Sequence, residues 1–225
     1  MTGPDSNPKG PAAIDRKVLS KQAFSKTTRW PRTDRRVARL ESALRHRQPD
    51  LSVVLENIHD RHNVSAVLRT CDAVGIQTVH LIYTYEQPPE DTLGRRASAG
   101  TVKWMNCVQW SSVEACFDTL KAAGMRVLTT ALSETAKSIY GVDFTQPVAV
   151  VFGNEMRGLS DVAIQQSDGC IYIPMVGMVQ SLNVSVSCAV AMYEAHRQRL
   201  VAGTYDQPQL SREMIDSMLE EWLKR

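Results

Sequence analysis

The sequence predicts an α/β protein built on a mainly parallel sheet over residues 50–202. Strand-length apolar segments alternate with helix-length amphipathic segments, and short loops join them. Two of the strand candidates, residues 148–152 and 170–173, are continuous apolar runs, as expected for strands covered on both faces. A long helix over residues 183–201 follows the last of these strands.

The individual elements follow from periodicity and from the residues that end them. The helix at 63–74 buries apolar side chains at helical spacing and ends before Gly75, and Gly124 ends the next helix. The predicted strands cover 51–56, 78–83, 103–110, 125–131, 148–152 and 170–173, and the helices cover 63–74, 111–123, 183–201 and 211–224. A polar loop containing Gly94 and Gly100 separates the second and third strands. Along 183–201 the apolar repeat is Leu182, Val186, Ala189, Tyr193, His196 and Leu200.

Basic residues concentrate in the N-terminal part of the chain. Residues 1–50 hold 12 Lys or Arg and 5 Asp or Glu, although the whole chain has a net charge of only +2. Residues 1–30 are predicted to be a flexible basic extension and 31–49 a basic helical segment, starting near Asp34 and stopped by Pro49. This charge fits a polyanionic partner such as nucleic acid, or a solvated tail that binds nothing.

The predicted helix in 31–49 has two different sides. Val37, Leu40 and Leu44 recur on one side and are expected to dock the helix. Arg36, Arg39 and Arg47 are expected to share another side and face solvent. Residues 203–225 add a C-terminal helix.

Composition narrows the class of protein. No apolar run reaches the roughly 18 residues of a membrane-spanning helix, and the polar N-terminus does not look like a secretory signal, so we expect a cytoplasmic protein. The five cysteines are scattered without a CxxC pair, which favours reduced, mostly buried thiols. His59 and His62 have no cysteine or carboxylate cluster to complete a site, so no metal is expected.

Two loops that follow buried strands have unusual compositions. In the loop after 148–152, the spacing of Gly153 and Gly158 imitates a phosphate-binding loop, but Leu159 stands where the lysine should be, so a nucleotide triphosphatase is disfavoured. The loop is otherwise a turn with surface charges. In the loop 173–183, Met175 and Met178 suit either an adaptable wall around a flat ring or the core.

Polar residues at the helix starts leave similar alternatives. Ser181 and Asn183 lie where helix capping is the usual role. Arg69 lies off the apolar face of its helix, so it suits either a phosphate contact or a surface ion pair. No GxGxxG, GxSxG or paired Cys–His motif is present. Patterning alone therefore ends at an α/β domain with a basic arm.

Three segments taken together resemble a known family. LENIHDRHNVSAVLRTCDAVG (55–75), VVFGNEMRGLS (150–160) and IPMVGMVQSLNVSVSCAVAMYEAHRQR (173–199) are similar to the three ordered motifs of the SpoU/TrmH family of RNA ribose 2′-O-methyltransferases, within the SPOUT superfamily. The resemblance implies a homodimer with a C-terminal deep trefoil knot, and S-adenosyl-L-methionine as the cofactor. It assigns cofactor contacts to Leu132, Phe152, Gly153, Ile173, Met178 and Leu182.

The resemblance also implies a substrate and a set of catalytic residues. The chain is most similar to the members that methylate guanosine 18 in the D-loop of tRNA. The residues implied in catalysis are Arg69, Asn63, Glu155, Ser181 and Asn183, and those implied in gripping the tRNA backbone are Arg36, Arg39, Arg47, Arg197 and Arg199. A ribosomal RNA methyltransferase of the same family and an RNA-binding protein without catalysis are the alternatives.

Overall fold

The computed structural model describes residues 33–86 and 101–225. Asp34–Arg225 forms one compact unit. The predicted extension at 1–30 and the predicted loop with Gly94 and Gly100 lie outside the described residues.

A seven-stranded, all-parallel sheet forms the centre of the protein and confirms the predicted fold class. Its order is β3-β2-β1-β6-β4-β7-β5. The strands are β1 Leu51–Glu56, β2 Thr78–Ile82, β3 Asn106–Trp110, β4 Arg126–Thr130, β5 Lys137–Ser138, β6 Val148–Phe152 and β7 Gly169–Tyr172. Every residue of β1 and β6 is buried, because both faces of these central strands are covered.

The register of β1 and β6 decides where the functional loops emerge. The two strands pair directly, from Leu51 with Val148 to Leu55 with Phe152. Their carboxyl ends therefore meet at the same edge of the sheet, and the loops after them lie side by side.

Six α-helices surround the sheet in the described residues. They are α1 Asp34–Arg45, α2 Arg61–Ala73, α3 Val113–Ala122, α4 Asp161–Gln166, α5 Val184–Val201 and α6 Arg212–Leu223, with 3₁₀ turns at Thr101–Trp104 and Ile139–Gly141. Side chains of Asp60, Ser112, Ser160, Asn183 and Ser211 cap five of them by accepting backbone N–H groups. The elements α4 and β5 were not predicted, and the start of the predicted strand 103–110 is a 3₁₀ turn.

The buried face of α5 differs from the apolar repeat read in the sequence. The core side is formed by Val184, Cys188, Ala191, Met192 and Ala195. Members of the repeat are exposed instead, with Val186 at 47%, Tyr193 at 54% and Leu200 at 53%. The helix carries apolar residues on several sides, so periodicity alone could not select the side that packs on the sheet.

The two terminal helices pack against each other. Leu40 and Leu44 of α1 are buried with Ile215 and Trp222 of α6, while Val37 is half-buried. The predicted docking of α1 through its leucines is confirmed.

Arg47 lies inside the protein rather than on the predicted arginine face. Only 1% of it is exposed, and it follows the end of α1. Its guanidinium donates to the Asp72 carboxylate at 2.6 Å and to the Ile76 carbonyl at 2.8 Å, and it sits 5.3 Å from the centre of the Trp222 ring. We therefore do not assign Arg47 to an RNA-binding surface.

Arg199 is also internal. It is fully buried, and it donates to the Asp50 carboxylate at 2.5 Å, to Gln48 Oε1 at 2.9 Å and to the Phe144 carbonyl at 2.9 Å. These bonds tie the end of α5 to the segment before β1, so Arg199 is a structural cation. Its implied contact with tRNA does not fit the structure.

The cysteines have no disulfide partners. Cys71, Cys116 and Cys188 are buried, and burial raises the pKa of the Cys116 thiol to about 12. In the described residues no helix has the length and apolarity to cross a bilayer, and no group of three His, Cys, Asp or Glu side chains could hold a metal ion.

The buried position of Arg199 predicts a large effect on stability. Arg199→Gln should lower the free energy of unfolding by about 3 kcal/mol, because it removes the charge that Asp50 is paired with and leaves buried acceptors unpaired. As the control, Arg39→Gln removes the same charge from an exposed site on α1. This variant should change the free energy of unfolding by less than about 0.5 kcal/mol. Urea denaturation of both variants measures the difference, and similar stabilities would contradict the structural role.

Candidate functional site

One pocket opens at the carboxyl ends of three neighbouring strands. Its volume is about 410 Å³. The ends of β4, β6 and β7 contribute to its wall, and the segment from Gln180 to the start of α5 also lines it. Open parallel sheets bind ligands at this edge, and the volume suits a nucleotide-sized molecule.

The wall contains most of the residues implied in cofactor binding. Those that line the pocket are Leu132, Phe152, Gly153, Ile173 and Leu182. Met178 is not in the lining; it is 98% exposed, whereas Met175 does line the pocket. Of the two predicted methionines, the structure therefore brings only Met175 to the cavity.

The loop after β6 is a closed turn rather than a phosphate cradle. Asn154 N–H donates to the Gly158 carbonyl at 3.0 Å, and Gly158 N–H donates to the Asn154 carbonyl at 2.8 Å. Because these amides bind each other's carbonyls, neither is directed at a phosphate. This geometry agrees with the rejection of a triphosphatase on sequence.

A glycine is required at position 153 by space alone. A Cβ there would lie 2.4 Å from the Gly158 carbonyl carbon and 2.5 Å from the Leu159 nitrogen. Both are backbone atoms, so any larger residue would displace the turn that forms one wall of the pocket.

Side chains from the three motifs are joined by a chain of hydrogen bonds. Asn183 Nδ2 donates to Asn63 Oδ1 at 3.1 Å, and Asn63 Nδ2 donates to Glu155 Oε1 at 2.6 Å. Asn63 lies in the first turn of α2, Glu155 in the turn after β6, and Asn183 directly before α5. We call these three side chains the amide–carboxylate chain.

Asn183 serves two purposes at once. Its Oδ1 accepts from Ser185 N–H at 2.9 Å and so caps α5, as the sequence position suggested. Its Nδ2 remains available for Asn63. Capping and membership of the site are therefore compatible, and Ser181 lines the same pocket two residues earlier.

Arg69 lies apart from the pocket of its own chain. It is exposed on α2, is absent from the pocket lining, and makes no hydrogen bond or ion pair with another described residue. Its guanidinium is therefore open to a ligand, and it forms no surface ion pair within residues 33–86 and 101–225.

The remaining basic residues differ in accessibility. On α1, Arg39 is exposed and Arg36 is half-buried. The Arg197 side chain is 63% exposed and donates to Glu194 through two nitrogens, at 2.8 and 2.9 Å.

Sequence reasoning missed two polar residues at the end of β1. Glu56 is 1% exposed, and its carboxylate accepts from Ser160 N–H at 3.0 Å. The Asn57 carbonyl accepts from Asn154 Nδ2 at 2.7 Å. Both residues fix the loop after β6. The sequence signal that could have identified them is an acidic residue and an amide at the end of an otherwise apolar strand.

The fold and pocket define a parallel α/β protein with a nucleotide-sized site at the carboxyl edge of its sheet. Residues 50–193 match the model of the SpoU rRNA Methylase family. The chain belongs to this family.

Relatives and solved structures extend the match beyond residues 50–193. A Thermus thermophilus protein named tRNA (guanosine(18)-2'-O)-methyltransferase is 47% identical over 194 residues, which cover 86% of this chain and 98% of that protein. The crystal structure of the A. aeolicus TrmH/SpoU tRNA modifying enzyme superposes with a TM-score of 0.77 at 35% identity, covering 85% of this chain and 96% of that one.

A third similar protein was solved with a ligand. The SpoU methyltransferase AviRb from Streptomyces viridochromogenes, in complex with the cofactor AdoMet, superposes with a TM-score of 0.61 at 25% identity. The match covers 68% of this chain and 62% of AviRb.

Proposed function

We propose that this protein transfers a methyl group from S-adenosylmethionine to the ribose 2′-hydroxyl of guanosine 18 in tRNA. The observation that carries the proposal is the amide–carboxylate chain, which joins side chains from all three family motifs beside one pocket. The Thermus thermophilus relative, similar over almost its whole length, supports tRNA as the substrate.

The pocket fits S-adenosylmethionine. Its volume suits a molecule of this size, and its wall combines apolar side chains with the close backbone approach that Gly153 allows. We propose that Leu132, Phe152, Ile173 and Leu182 hold the cofactor there, with Met178 added from the exposed part of its loop. When bound, the cofactor supplies an electrophilic methyl group on its sulfonium sulfur.

The amide–carboxylate chain is proposed to orient the acceptor. Asn63 positions the ribose hydroxyl, Glu155 holds Asn63 and the loop after β6, and Asn183 fixes the cofactor loop at the start of α5. Ser181, which lines the pocket, contacts the substrate. Holding the hydroxyl in line with the methyl group supplies the positional part of catalysis.

Arg69 is proposed to bind an RNA phosphate next to the acceptor nucleotide. An arginine guanidinium keeps its positive charge near neutral pH, so it is poorly suited to take the proton itself. Its exposure and its lack of a partner among the described residues support a contact with phosphate.

The tRNA backbone is proposed to contact Arg36 and Arg39 on α1 and Arg197 on α5. Such contacts position the RNA without reading its bases and give an affinity that falls with salt. Arg47 and Arg199 are left out because their guanidinium groups are bound internally. A tRNA substrate also implies that the protein acts in the cytoplasm.

A homodimer is proposed to cover the exposed side of α5. Val186, Tyr193 and Leu200 form an apolar stripe on that helix, with exposures of 47%, 54% and 53%. A second copy of the same chain would bury the stripe against itself.

A trefoil knot is proposed for the C-terminal part of the sheet. The chain forms β4 and β5 before crossing to β6, and then returns to place β7 between β4 and β5. A last strand inserted between two earlier ones supports threading of the C-terminal segment, an exception to the usual avoidance of knots.

Gly153→Ala should weaken the binding of S-adenosylmethionine by about tenfold or more, because the added Cβ displaces the turn at Gly158. Isothermal titration calorimetry measures the affinity. Gly141→Ala is the matched control, since a Cβ at Gly141 meets nothing within 4 Å. Equal affinities in the two variants would argue against this wall as the cofactor site.

The reaction itself is tested by labelled-methyl transfer to an unmodified tRNA transcript, followed by mapping of the modified nucleotide. We expect a 2′-O-methyl group on D-loop guanosine 18. Transfer to ribosomal RNA alone would overturn the tRNA assignment.

The role of Arg69 is tested by the same transfer assay together with a measurement of cofactor affinity. Arg69→Ala should abolish transfer while cofactor affinity stays within about twofold, because Arg69 does not line the pocket. Loss of cofactor binding in Arg69→Ala would overturn the role of Arg69.

A further inference from the structure

An exposed aromatic ring and an arginine are paired beside the proposed acceptor site. The Arg157 guanidinium lies 5.0 Å from the centre of the Tyr85 ring. Tyr85 is 48% exposed, and Arg157 is also exposed. Arg157 lies two residues after Glu155, a member of the pocket wall, whereas Tyr85 belongs to the separate loop that follows β2.

Asn57 forms hydrogen bonds with both segments that carry this pair, residues 84–85 after β2 and the turn after β6. Its Oδ1 accepts from Thr84 N–H at 2.9 Å and from Tyr85 N–H at 3.5 Å, and its Nδ2 donates to Thr84 Oγ1 at 3.0 Å. Its carbonyl accepts from Asn154 Nδ2 at 2.7 Å. Asn154 Oδ1 in turn accepts from Arg157 N–H at 3.1 Å, so both partners of the pair connect to one residue.

The backbone of Asn57 is itself unusual. Its φ of 54° lies in the left-handed region, and it is the only non-glycine among the described residues with a positive φ. It is also 1% exposed. Asparagine tolerates this conformation better than most residues, and such constraints persist where surrounding bonds over-determine them.

A half-exposed ring next to a guanidinium plane suits one class of ligand. Unpaired RNA bases stack on aromatic rings and on arginine planes, and stacking accepts any base because every base has a flat face. A nucleotide whose ribose enters a pocket must leave its neighbours in the RNA stack, so its base needs a new surface to stack on.

We propose that Tyr85 and Arg157 form a stacking platform for the base of the nucleotide being methylated, with Asn57 as the residue that positions the platform. The proposal rests on the proposed function, since it requires an RNA acceptor at this site. Asn63, held by Glu155, and the platform then act on one nucleotide, on its ribose and its base respectively.

The platform is tested by the steady-state kinetics of tRNA methylation with the full chain. Tyr85→Leu should raise the KM for tRNA about tenfold, because it removes the ring. Tyr85→Phe keeps the ring and should restore the KM to within about twofold of the wild type. Arg157→Lys keeps the charge but loses the plane, so it should raise the KM severalfold. The control is Tyr140→Leu, which removes a 63% exposed ring that is not part of the platform.

A spectroscopic readout separates stacking from a purely structural role. In a tRNA carrying 2-aminopurine at the acceptor position, the wild type should quench the fluorescence on binding, and Tyr85→Leu should not. Cofactor affinity and the unfolding midpoint should be unchanged in both Tyr85 variants and in Arg157→Lys.

Three results would overturn the platform: unchanged KM and quenching in Tyr85→Leu, an unchanged KM in Arg157→Lys, or a Tyr85→Phe variant as impaired as Tyr85→Leu. A wild-type chain that methylates no tRNA would instead contradict the proposed function, and the platform with it. Failure of the platform is thus distinguished from failure of the function by the activity of the wild type.

Discussion

The site depends on the hydrogen bonds that run from Asn183 through Asn63 to Glu155. Along the sequence, Glu155 lies 92 residues after Asn63, and Asn183 lies 120 residues after it. Direct pairing of β1 with β6 brings the loops before α2 and after β6 to one edge of the sheet, and α5 begins at the same edge. The fold therefore supplies the coarse position of the three motifs, and two hydrogen bonds, of 2.6 and 3.1 Å, fix the fine position of their side chains.

Charge is divided between structural and surface roles in a way that composition does not reveal. Arg47 and Arg199 satisfy backbone carbonyls and carboxylates inside the protein, where a buried cation requires such partners. Arg39 and Arg69 are exposed instead. Of the five arginines implied in gripping the tRNA backbone, the structure leaves Arg36, Arg39 and Arg197 with at least partly exposed side chains, and the proposed electrostatic contact with RNA rests on this smaller set.

Much of the fold and part of the site could be predicted from the sequence. Long periodic segments such as α2 and α5, and apolar runs such as β6, were located to within about two residues because burial imposes their pattern. The side of α5 that packs on the sheet was not predictable, since the helix is apolar on several sides. The buried state of Arg199 depends on Asp50, 149 residues away, and no local pattern encodes that pairing.

We expect Asn63 and Glu155 to act as a unit, and a double-mutant cycle on methyl transfer tests this most directly. Asn63→Ala and Glu155→Ala should each lower kcat/KM substantially, and the double variant should be little worse than either one, because each single change already breaks the same bond. That result corresponds to a coupling energy of about 1–3 kcal/mol. Independent effects that add in full in the double variant would contradict the account.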